Sequence, residues 1–304
     1  MSLAVVLGAN GFIGRHVAQA MSGWPEIEVV GAGLGTPLPG LERRWLDIDL
    51  LAGDGRLAAE LRAMDPRLVV NCTGATAGTA AELTRLNVDT TAALLEAIAR
   101  SGIRARLIHL GSAAEYGSGK TGHPVAETAT ARPLSPYGTA KLAATRLVTA
   151  EAAAGRDAVV LRVFNALGPG MPPGTLPGGA LRQLADAVAN ASSRIEMGPL
   201  GSVRDFIDVR DIGAAVVAAG RSPRLDSPVI NVGSGAGHSA RELVLALARR
   251  VGFLGDIGEG AAGSPRSSDV PWQVADVSLA WRLLGWRAVH DLNSSVVLMT
   301  AGLV

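Results

Sequence analysis

The chain has 304 residues, of which 48% are hydrophobic and 4% aromatic, and its formal net charge is +1. It is long enough to bury a core, and its scattered basic residues form no stripe for a nucleic-acid backbone, so disorder and nucleic-acid binding are disfavoured. The single cysteine and the five histidines lack the spacing of metal ligands, and no apolar run is long enough to cross a membrane, so we expect a cytoplasmic protein without a metal site or a membrane partner.

Short apolar runs alternate with longer amphipathic stretches through the first half of the chain, a rhythm typical of βαβ units. The predicted strands span residues 3–7, 28–32, 68–72, 106–110 and 158–162. The predicted helices between and after them span residues 13–21, 55–65, 82–101 and 137–154. The pattern predicts an α/β fold in which residues 1–165 form a doubly wound, Rossmann-type parallel sheet that binds a dinucleotide.

The pattern changes after Asn165, where a stretch rich in proline and glycine covers residues 168–174. Loops on a rigid scaffold commonly carry recognition residues, so we expect residues 166–304 to form mainly a smaller, substrate-binding C-terminal lobe. A strand at 229–232 and a helix at 240–251 indicate that segments near 204–235 return to the Rossmann sheet.

Three glycines, Gly8, Gly11 and Gly14, stand between the first predicted strand and the first predicted helix with the spacing G-x-x-G-x-x-G. The first permits a tight turn, the second lets the backbone approach a pyrophosphate, and the third allows the helix to pack closely on the strand. The amino end of that helix favours an anion. The segment therefore predicts a dinucleotide-binding turn.

A Y-x-x-x-K pair, Tyr137 and Lys141, opens the fourth predicted helix, where positions four apart share a face. A lysine ammonium beside a phenol favours the phenolate and lowers the tyrosine pKa, which suits a general acid/base. Ser112 follows the fourth predicted strand, at the carboxyl edge of a parallel sheet, where a hydroxyl is able to bind a substrate oxygen. We therefore expect these three residues to be catalytic, with Tyr137 giving a proton to a ketone that receives hydride.

These motifs resemble the extended branch of the short-chain dehydrogenase/reductase superfamily, the NAD-dependent epimerase/dehydratase family. Further matching segments are N-C-T-G-A at 71–75, R-V-F-N-A-L-G-P at 162–169 and R-D-F-I-D-V at 204–209. The resemblance extends over nearly the whole chain and implies an NAD(P)-dependent oxidoreductase in which Lys141 also holds the cofactor ribose. It implies a cofactor site made of Gly8, Asn10, Gly11, Phe12, Ile13, Gly14, Arg15, Asp47, Ile48, Cys72, Thr73, Gly74, Asn87, Tyr137 and Lys141.

The same resemblance implies where the substrate binds. Asn165 matches the family asparagine that contacts a nucleotide diphosphate, and Arg204 and Arg266 match arginines that bind its phosphates, as guanidinium groups do well. Sugar 4,6-dehydratases carry a carboxyl side chain shortly after the strand-end hydroxyl, so alanines at positions 113 and 114 disfavour dehydration. The substrate-binding residues implied in this way are Ser112, Ala113, Ala114, Asn165, Arg204 and Arg266.

The choice between NAD(H) and NADP(H) depends on the segment after the second predicted strand. In the family an acidic residue there selects NAD, whereas residues 31–35 of this chain read G-A-G-L-G. Arg15, together with Arg43 or Arg44, is available to neutralise a 2′-phosphate, so we expect a slight preference for NADP(H). The alternative is that these arginines are solvated surface charges. Asp47 resembles the family aspartate that meets the adenine amino group.

The segments G-S-A-A-E-Y-G and V-R-D-F-I-D-V-R-D are similar to those of family members that reduce nucleotide-linked 4-keto-6-deoxyhexoses. We therefore expect a nucleoside-diphosphate sugar as the substrate. A 4-epimerase with tightly bound NAD, a ketoreductase acting on a non-sugar intermediate and a non-catalytic regulator that binds dinucleotide stay open as alternatives. The helices at 82–101 and 137–154 resemble the pair that forms the family's four-helix dimer interface, so a homodimer is expected.

Overall fold

The computed structural model describes residues 2–53, 55–261 and 270–301. Its strands are β1 (Ser2–Leu7), β2 (Ile27–Gly33), β3 (Trp45–Asp47), β4 (Leu68–Asn71), β5 (Arg106–Ser112), β6 (Ala158–Val163), β7 (Asn165–Leu167), β8 (Arg194–Glu196), β9 (Val203–Asp208), β10 (Val229–Val232), β11 (Gly237–Ser239), β12 (Asp256–Gly258) and β13 (Trp272–Gln273). Its α-helices are α1 (Phe12–Ser22), α2 (Arg56–Met64), α3 (Ala80–Thr84), α4 (Thr90–Ser101), α5 (Pro136–Ala153), α6 (Leu176–Ala189), α7 (Val209–Arg221), α8 (Ala240–Val251), α9 (Ser278–Leu284) and α10 (Leu292–Met299).

Seven parallel strands form the main sheet in the spatial order β10-β6-β5-β4-β1-β2-β3. The chain starts in the centre, moves outward through β2 and β3, and then crosses to β4 on the other side of β1. Because the strands are parallel, their carboxyl ends meet at one edge of the sheet, and the loops of that edge usually bind the ligand. The predicted α/β fold with a doubly wound Rossmann-type sheet is confirmed.

Helices cover both faces of this sheet. Val6, Val70 and Ile108 lie in the fully buried cluster that packs against α1 and α7, whereas their neighbours Val5 and Val69 belong to the cluster under α2 and α4. Each strand is therefore apolar on both sides, as central strands of parallel sheets are. Burying one such side chain contributes about 1.5–3 kcal/mol.

The helix predicted at residues 82–101 begins slightly earlier and is interrupted. Thr79 caps α3, with its hydroxyl accepting from the Glu82 N–H and the Glu82 side chain accepting from the Thr79 N–H. The chain then makes a π-helical turn over Arg85–Asp89 before it continues as α4. Single π-helical turns of this kind are frequent at functional sites.

The second half of the chain adds a smaller sheet, in which β9 pairs with β7, β11 and β13. Of the segments that were expected to return to the main sheet, β10 pairs with β6, whereas β9 belongs to the smaller sheet. Asp205 of β9 is fully buried, and its carboxylate accepts from the N–H groups of Ser234, Gly235 and Ala275. This carboxylate ties the smaller sheet to the loop that follows β10. Within the described ranges, the helices are too short or too polar to span a bilayer.

Candidate active site

The glycine turn joins β1 to α1 at the centre of the sheet edge. Gly8 has φ +71°, in the left-handed region that favours glycine, and its N–H donates to the carbonyl of Ala32 at 2.7 Å. A Cβ on Gly14 would lie 2.0 Å from the carbonyl oxygen of Gly8, so α1 packs on the turn at a distance that excludes any side chain. Gly11 stands before α1 in an extended conformation. The first N–H groups of that helix have no intrahelical partner and suit a phosphate.

A cavity of about 290 Å³ opens beside the turn. Its wall contains these residues of the predicted cofactor site: Gly8, Asn10, Gly11, Ile48, Cys72, Thr73 and Gly74. It also contains residues that were not among the predicted cofactor-binding residues: Leu7, Ala32, Gly33, Leu34, Asp49, Leu50, Leu51, Ala75, Leu86 and Thr90. The wall is thus apolar for most of its length, as a pocket for a flat aromatic base is expected to be.

The remaining residues of the predicted cofactor site lie around this cavity rather than on its wall. Phe12, Ile13 and Gly14 form the first turn of α1. The guanidinium of Arg15 donates to the carbonyl of Gly11 at 3.2 Å and, through its second nitrogen, to that of Asn10 at 3.3 Å.

Asp47 ends β3 and is exposed, and its carboxylate accepts from the N–H of Gly35 at 3.1 Å. The chain reaches the cavity immediately afterwards, at residues 48–51, which include Asp49. The aspartate on the cavity wall is therefore Asp49, which the sequence analysis did not single out, and not Asp47.

Polar side chains hold the segment after β4, which forms part of the cavity wall, in place. The Asn71 carboxamide oxygen accepts from the Thr73 N–H at 3.0 Å and from its hydroxyl at 2.6 Å. Asn87 sits on the π-helical turn, where its amide donates to the carbonyls of Ala75 and Leu83. Its Oδ1 atom is buried without a hydrogen-bond partner in the described part of the chain and faces Gly74, whose φ is +139°. A buried orphan acceptor at this position fits a polar group of a bound dinucleotide.

The segments that carry Ser112, Tyr137 and Lys141 meet at the carboxyl end of β5. Lys141 is buried, and its Nζ atom donates to the carbonyl of Leu110 at 2.5 Å. The Ser112 hydroxyl accepts from the N–H of Ala114 at 3.2 Å. The half-buried Tyr137 begins α5 directly before Gly138.

Gly138 determines how closely these residues approach. A Cβ on it would lie 2.4 Å from the carbonyl oxygen of Ala114, so the amino end of α5 touches the turn that carries Ser112. Ser135 caps the helix at this point, with its hydroxyl accepting from the Gly138 N–H at 3.1 Å. The close approach brings the tyrosine and serine segments to one place.

Burial lowers the pKa of Lys141, and the nearby Glu115 carboxylate opposes this effect. Burial also holds the pKa of His109, the β5 residue near Lys141, well below its usual range. The Nδ1 atom of His109 accepts from the Asn71 amide at 3.0 Å. The imidazole is therefore neutral near pH 7 and adds no positive charge beside Lys141.

A buried carboxylate that the sequence did not single out lies beneath the serine turn. Glu115 has no exposed surface, and its Oε1 atom accepts from the Ser112 N–H at 2.7 Å and from the Thr145 hydroxyl at 2.9 Å. Its Oε2 atom pairs with Nε of Arg162 at 2.7 Å. The Arg162 guanidinium in turn lies 4.5 Å from the ring centroid of Tyr116.

The predicted substrate-binding residues that the structure describes lie on strands of the smaller sheet and on the turn after β5. Asn165 starts β7, and its amide donates to the carbonyl of Asp205 at 3.0 Å. Arg204 is largely buried, which lowers its pKa to about 10, and it donates to the carbonyl of Val203. Ala113 and Ala114 form the turn after Ser112. Arg266 lies outside the described residues.

A parallel sheet with a glycine turn and a serine, tyrosine and lysine at its carboxyl edge defines an NAD(P)-dependent oxidoreductase of the short-chain dehydrogenase/reductase type. The family model for the NAD-dependent epimerase/dehydratase family matches residues 4–233. This chain therefore belongs to that family, as its sequence motifs predicted.

Known relatives agree with the extended type. Over 300 residues the chain is 36% identical to the dTDP-6-deoxy-L-talose 4-dehydrogenase (NAD(P)(+)) of Kitasatospora kifunensis, with 96% of this chain and 92% of the relative covered. It is 35% identical to the UDP-glucose 4-epimerase of Streptomyces lividans over 66% of this chain and 63% of that enzyme. The solved structure of MoeE5 in complex with UDP-glucuronic acid and NAD has a TM-score of 0.83 and 30% identity, with 98% of this chain and 97% of that chain covered.

Proposed function

We propose that this chain reduces a keto group at C4 of a nucleotide-linked deoxysugar, with Tyr137 as the proton donor. The observation that carries the proposal is the meeting of the Ser112 turn, the start of α5 and the buried Lys141 at one sheet edge. The similarity to a sugar-nucleotide 4-dehydrogenase over nearly the full length supports it, because dehydrogenation and reduction are one reaction run in opposite directions.

Each residue has a separate role in the proposed reaction. A bound nicotinamide cofactor supplies or accepts the hydride. Ser112 orients the substrate oxygen, Tyr137 gives that oxygen a proton, and Lys141 lowers the tyrosine pKa and binds the cofactor ribose. The glycine turn and the first turn of α1 hold the pyrophosphate, and the apolar cavity holds the adenosine end.

A second set of residues is proposed to bind the substrate. We assign the nucleotide diphosphate to Asn165 and Arg204, and to Arg266 from its sequence resemblance alone, since guanidinium groups bind phosphate oxygens well. The alanines at 113 and 114 leave no carboxyl group at those two positions for removal of water, which argues against a 4,6-dehydratase. A cytoplasmic homodimer formed through α4 and α5 is part of the proposal.

The expected result with a nucleotide-linked 4-keto-6-deoxyhexose is loss of NADH or NADPH absorbance in proportion to enzyme and substrate. The second candidate is a 4-epimerase, which the similarity to UDP-glucose 4-epimerase favours. An epimerase would contain NAD as purified and interconvert UDP-hexoses without net use of reductant. Turnover of a non-sugar ketone alone, or dinucleotide binding with no turnover of any ketone, would contradict both sugar candidates.

The slight preference for NADP(H) has one argument for it and one against. In favour, no acidic side chain follows β2 within residues 31–35. Against it, Arg44 pairs with Glu28 at 2.8 Å, near the amino end of β2, and the Asp47 carboxylate lies at the N–H of Gly35. A 2′-phosphate in this corner would therefore meet a negative charge.

Replacing Asp47 by Asn is expected to improve the affinity for NADP⁺ relative to NAD⁺ by up to about fivefold, because an exposed charge contributes about 1 kcal/mol or less. Calorimetric titration with both cofactors measures the ratio directly. Asp226→Asn is the matched control, since Asp226 is an exposed carboxylate that pairs with Arg224 at 2.9 Å and is not on the wall of the cavity, so the ratio is expected to stay unchanged. An unchanged ratio in Asp47→Asn would remove Asp47 from cofactor selection.

A further inference from the structure

We propose that Glu115 is a positioning residue of the proton relay, which locks the Ser112 turn to α5 and supplies the buried negative charge that keeps Lys141 an ammonium ion. The inference rests on the proposed catalytic roles of Ser112, Tyr137 and Lys141. It concerns a side chain to which the sequence motifs assign no catalytic or binding role, and it gives that side chain both a mechanical and an electrostatic task.

The mechanical task follows from the three elements that meet at one carboxylate. Glu115 lies on the 3₁₀ turn after β5 and binds the Ser112 N–H of its own turn, the Thr145 hydroxyl of α5 and the Arg162 guanidinium of β6. Every distance is 2.9 Å or less. A fully buried group with this many charge-assisted bonds has little freedom to move, so the serine turn keeps its distance from α5.

The electrostatic task follows from what surrounds Lys141. Its Nζ atom donates to a neutral carbonyl, that of Leu110. Cys72, after β4, stays a thiol because burial raises its pKa to about 12, and His109 of β5 stays neutral. Tyr137, on the same helix, is the group whose pKa Lys141 is proposed to lower. Glu115, which forms an ion pair with Arg162, is the described carboxylate that supports the Lys141 charge.

The Arg162 guanidinium binds the Oε2 atom of Glu115, whereas Ser112 and Thr145 bind Oε1. Even with this arginine in place, the Glu115 carboxylate raises the pKa of Lys141. Burial acts against the Lys141 charge and the Glu115 carboxylate acts for it. Removal of the carboxylate charge leaves a buried lysine that deprotonates at lower pH, and a neutral lysine no longer favours the Tyr137 phenolate.

The composition of the chain makes this measurable. Lys120 and Lys141 are the two lysines of the whole sequence, so protein labelled with ¹³C at lysine Cε gives two titrating signals. The exposed Lys120 is an internal reference. In purified full-length Glu115→Gln, we expect the Lys141 signal to titrate at lower pH than in the wild type, while the Lys120 signal stays in place.

Activity should follow the same titration. With a keto substrate and saturating cofactor, the alkaline limb of kcat in Glu115→Gln is expected to move to lower pH, so that kcat on that limb falls about tenfold for each pH unit of displacement. Glu151→Gln is the matched control, because Glu151 pairs with Arg156 at the exposed end of α5, far along the helix from Lys141. Thr145→Val separates the two tasks, since it removes the hydrogen bond from the Thr145 hydroxyl to Glu115 and keeps the Glu115 charge. This variant should lower kcat without moving the Lys141 titration or the alkaline limb of kcat.

Glu115→Gln leaves the Arg162 guanidinium buried without its carboxylate partner, which lowers the stability of the folded protein. The double variant Glu115→Gln/Arg162→Gln removes both charges, and its Lys141 signal must still titrate below the wild-type position. Identical Lys141 titrations in the wild type and in a folded Glu115 variant would overturn the proposal. The labelled-lysine experiment needs no substrate, so its failure is distinct from a failure to find the substrate.

Discussion

Tyr137→Phe is expected to lower kcat by about 10²–10⁴-fold, because the phenyl ring fills the same space but has no proton to give to the substrate oxygen. The dissociation constants for NAD⁺ and NADP⁺ should stay within about twofold of the wild-type values, since the glycine turn and the cavity do not depend on this hydroxyl. Steady-state kinetics with a 4-keto sugar nucleotide and calorimetric titration of each cofactor measure the two quantities separately.

Tyr116 provides the matched control, because it is the one other tyrosine of the chain. It is buried, and its hydroxyl donates to the Asn231 carboxamide at 2.7 Å. Tyr116→Phe is expected to cost about 1 kcal/mol of stability through that lost hydrogen bond while most of the turnover is retained. If Tyr137→Phe kept wild-type kcat, the proton would come from another group and the proposed reaction would lose its donor.

The two tyrosines also allow a direct optical test. Burial raises the pKa of Tyr116, so its phenolate forms above the ordinary range. We expect the ultraviolet titration of the wild type to show a separate step that disappears in Tyr137→Phe. That step should move to higher pH in Lys141→Met, which removes the cation that favours the phenolate.

The fold was predictable because its signals are local and periodic. The alternation of apolar runs and amphipathic stretches predicted six of the seven strands of the main sheet, all but the three-residue β3. It also predicted the helices that cover the sheet, except α7. The glycine spacing indicated both the tight turn at Gly8 and the close packing at Gly14, and the positive φ of Gly8 agrees with it. These features depend on residues that are neighbours in sequence.

The smaller sheet was harder to predict for the opposite reason. Strands β7, β11 and β13 contain three residues or fewer, too few for a period to be visible. Their common partner, β9, is fixed by the buried Asp205, whose hydrogen-bond partners lie about thirty and seventy residues later in the chain. No local pattern shows such long-range contacts.

The same limit explains why Glu115 was overlooked. Within its own segment the residue is one polar position in a turn, and nothing in that segment marks it as buried. Its partners Thr145 and Arg162 stand 30 and 47 residues away, on different elements. The sequence feature that points to a buried carboxylate is Arg162 of β6. It is a charged residue near the end of a strand otherwise made of Val, Leu and Ala, and a buried arginine requires a partner.

Gly14→Ala and Gly11→Ala are expected to separate the two uses of glycine in the turn. The added methyl group on Gly14 would lie 2.0 Å from the Gly8 carbonyl oxygen, and α1 must move away from β1 to admit it. Overpacking of this kind costs about 1–3 kcal/mol, so Tm should fall by several degrees and dinucleotide affinity by about tenfold or more.

At Gly11 the nearest atom to an added methyl group is the same oxygen at 3.1 Å, which a small shift accommodates. Gly11→Ala should therefore leave Tm within about 2 °C of the wild type but weaken dinucleotide binding, because the methyl group stands where the backbone must approach the pyrophosphate. Thermal unfolding without ligand and calorimetric titration with NAD⁺ and NADP⁺ distinguish the two. Equal losses of Tm in both variants would mean that the turn serves only to pack α1, and unchanged affinity in Gly11→Ala would move the pyrophosphate away from it.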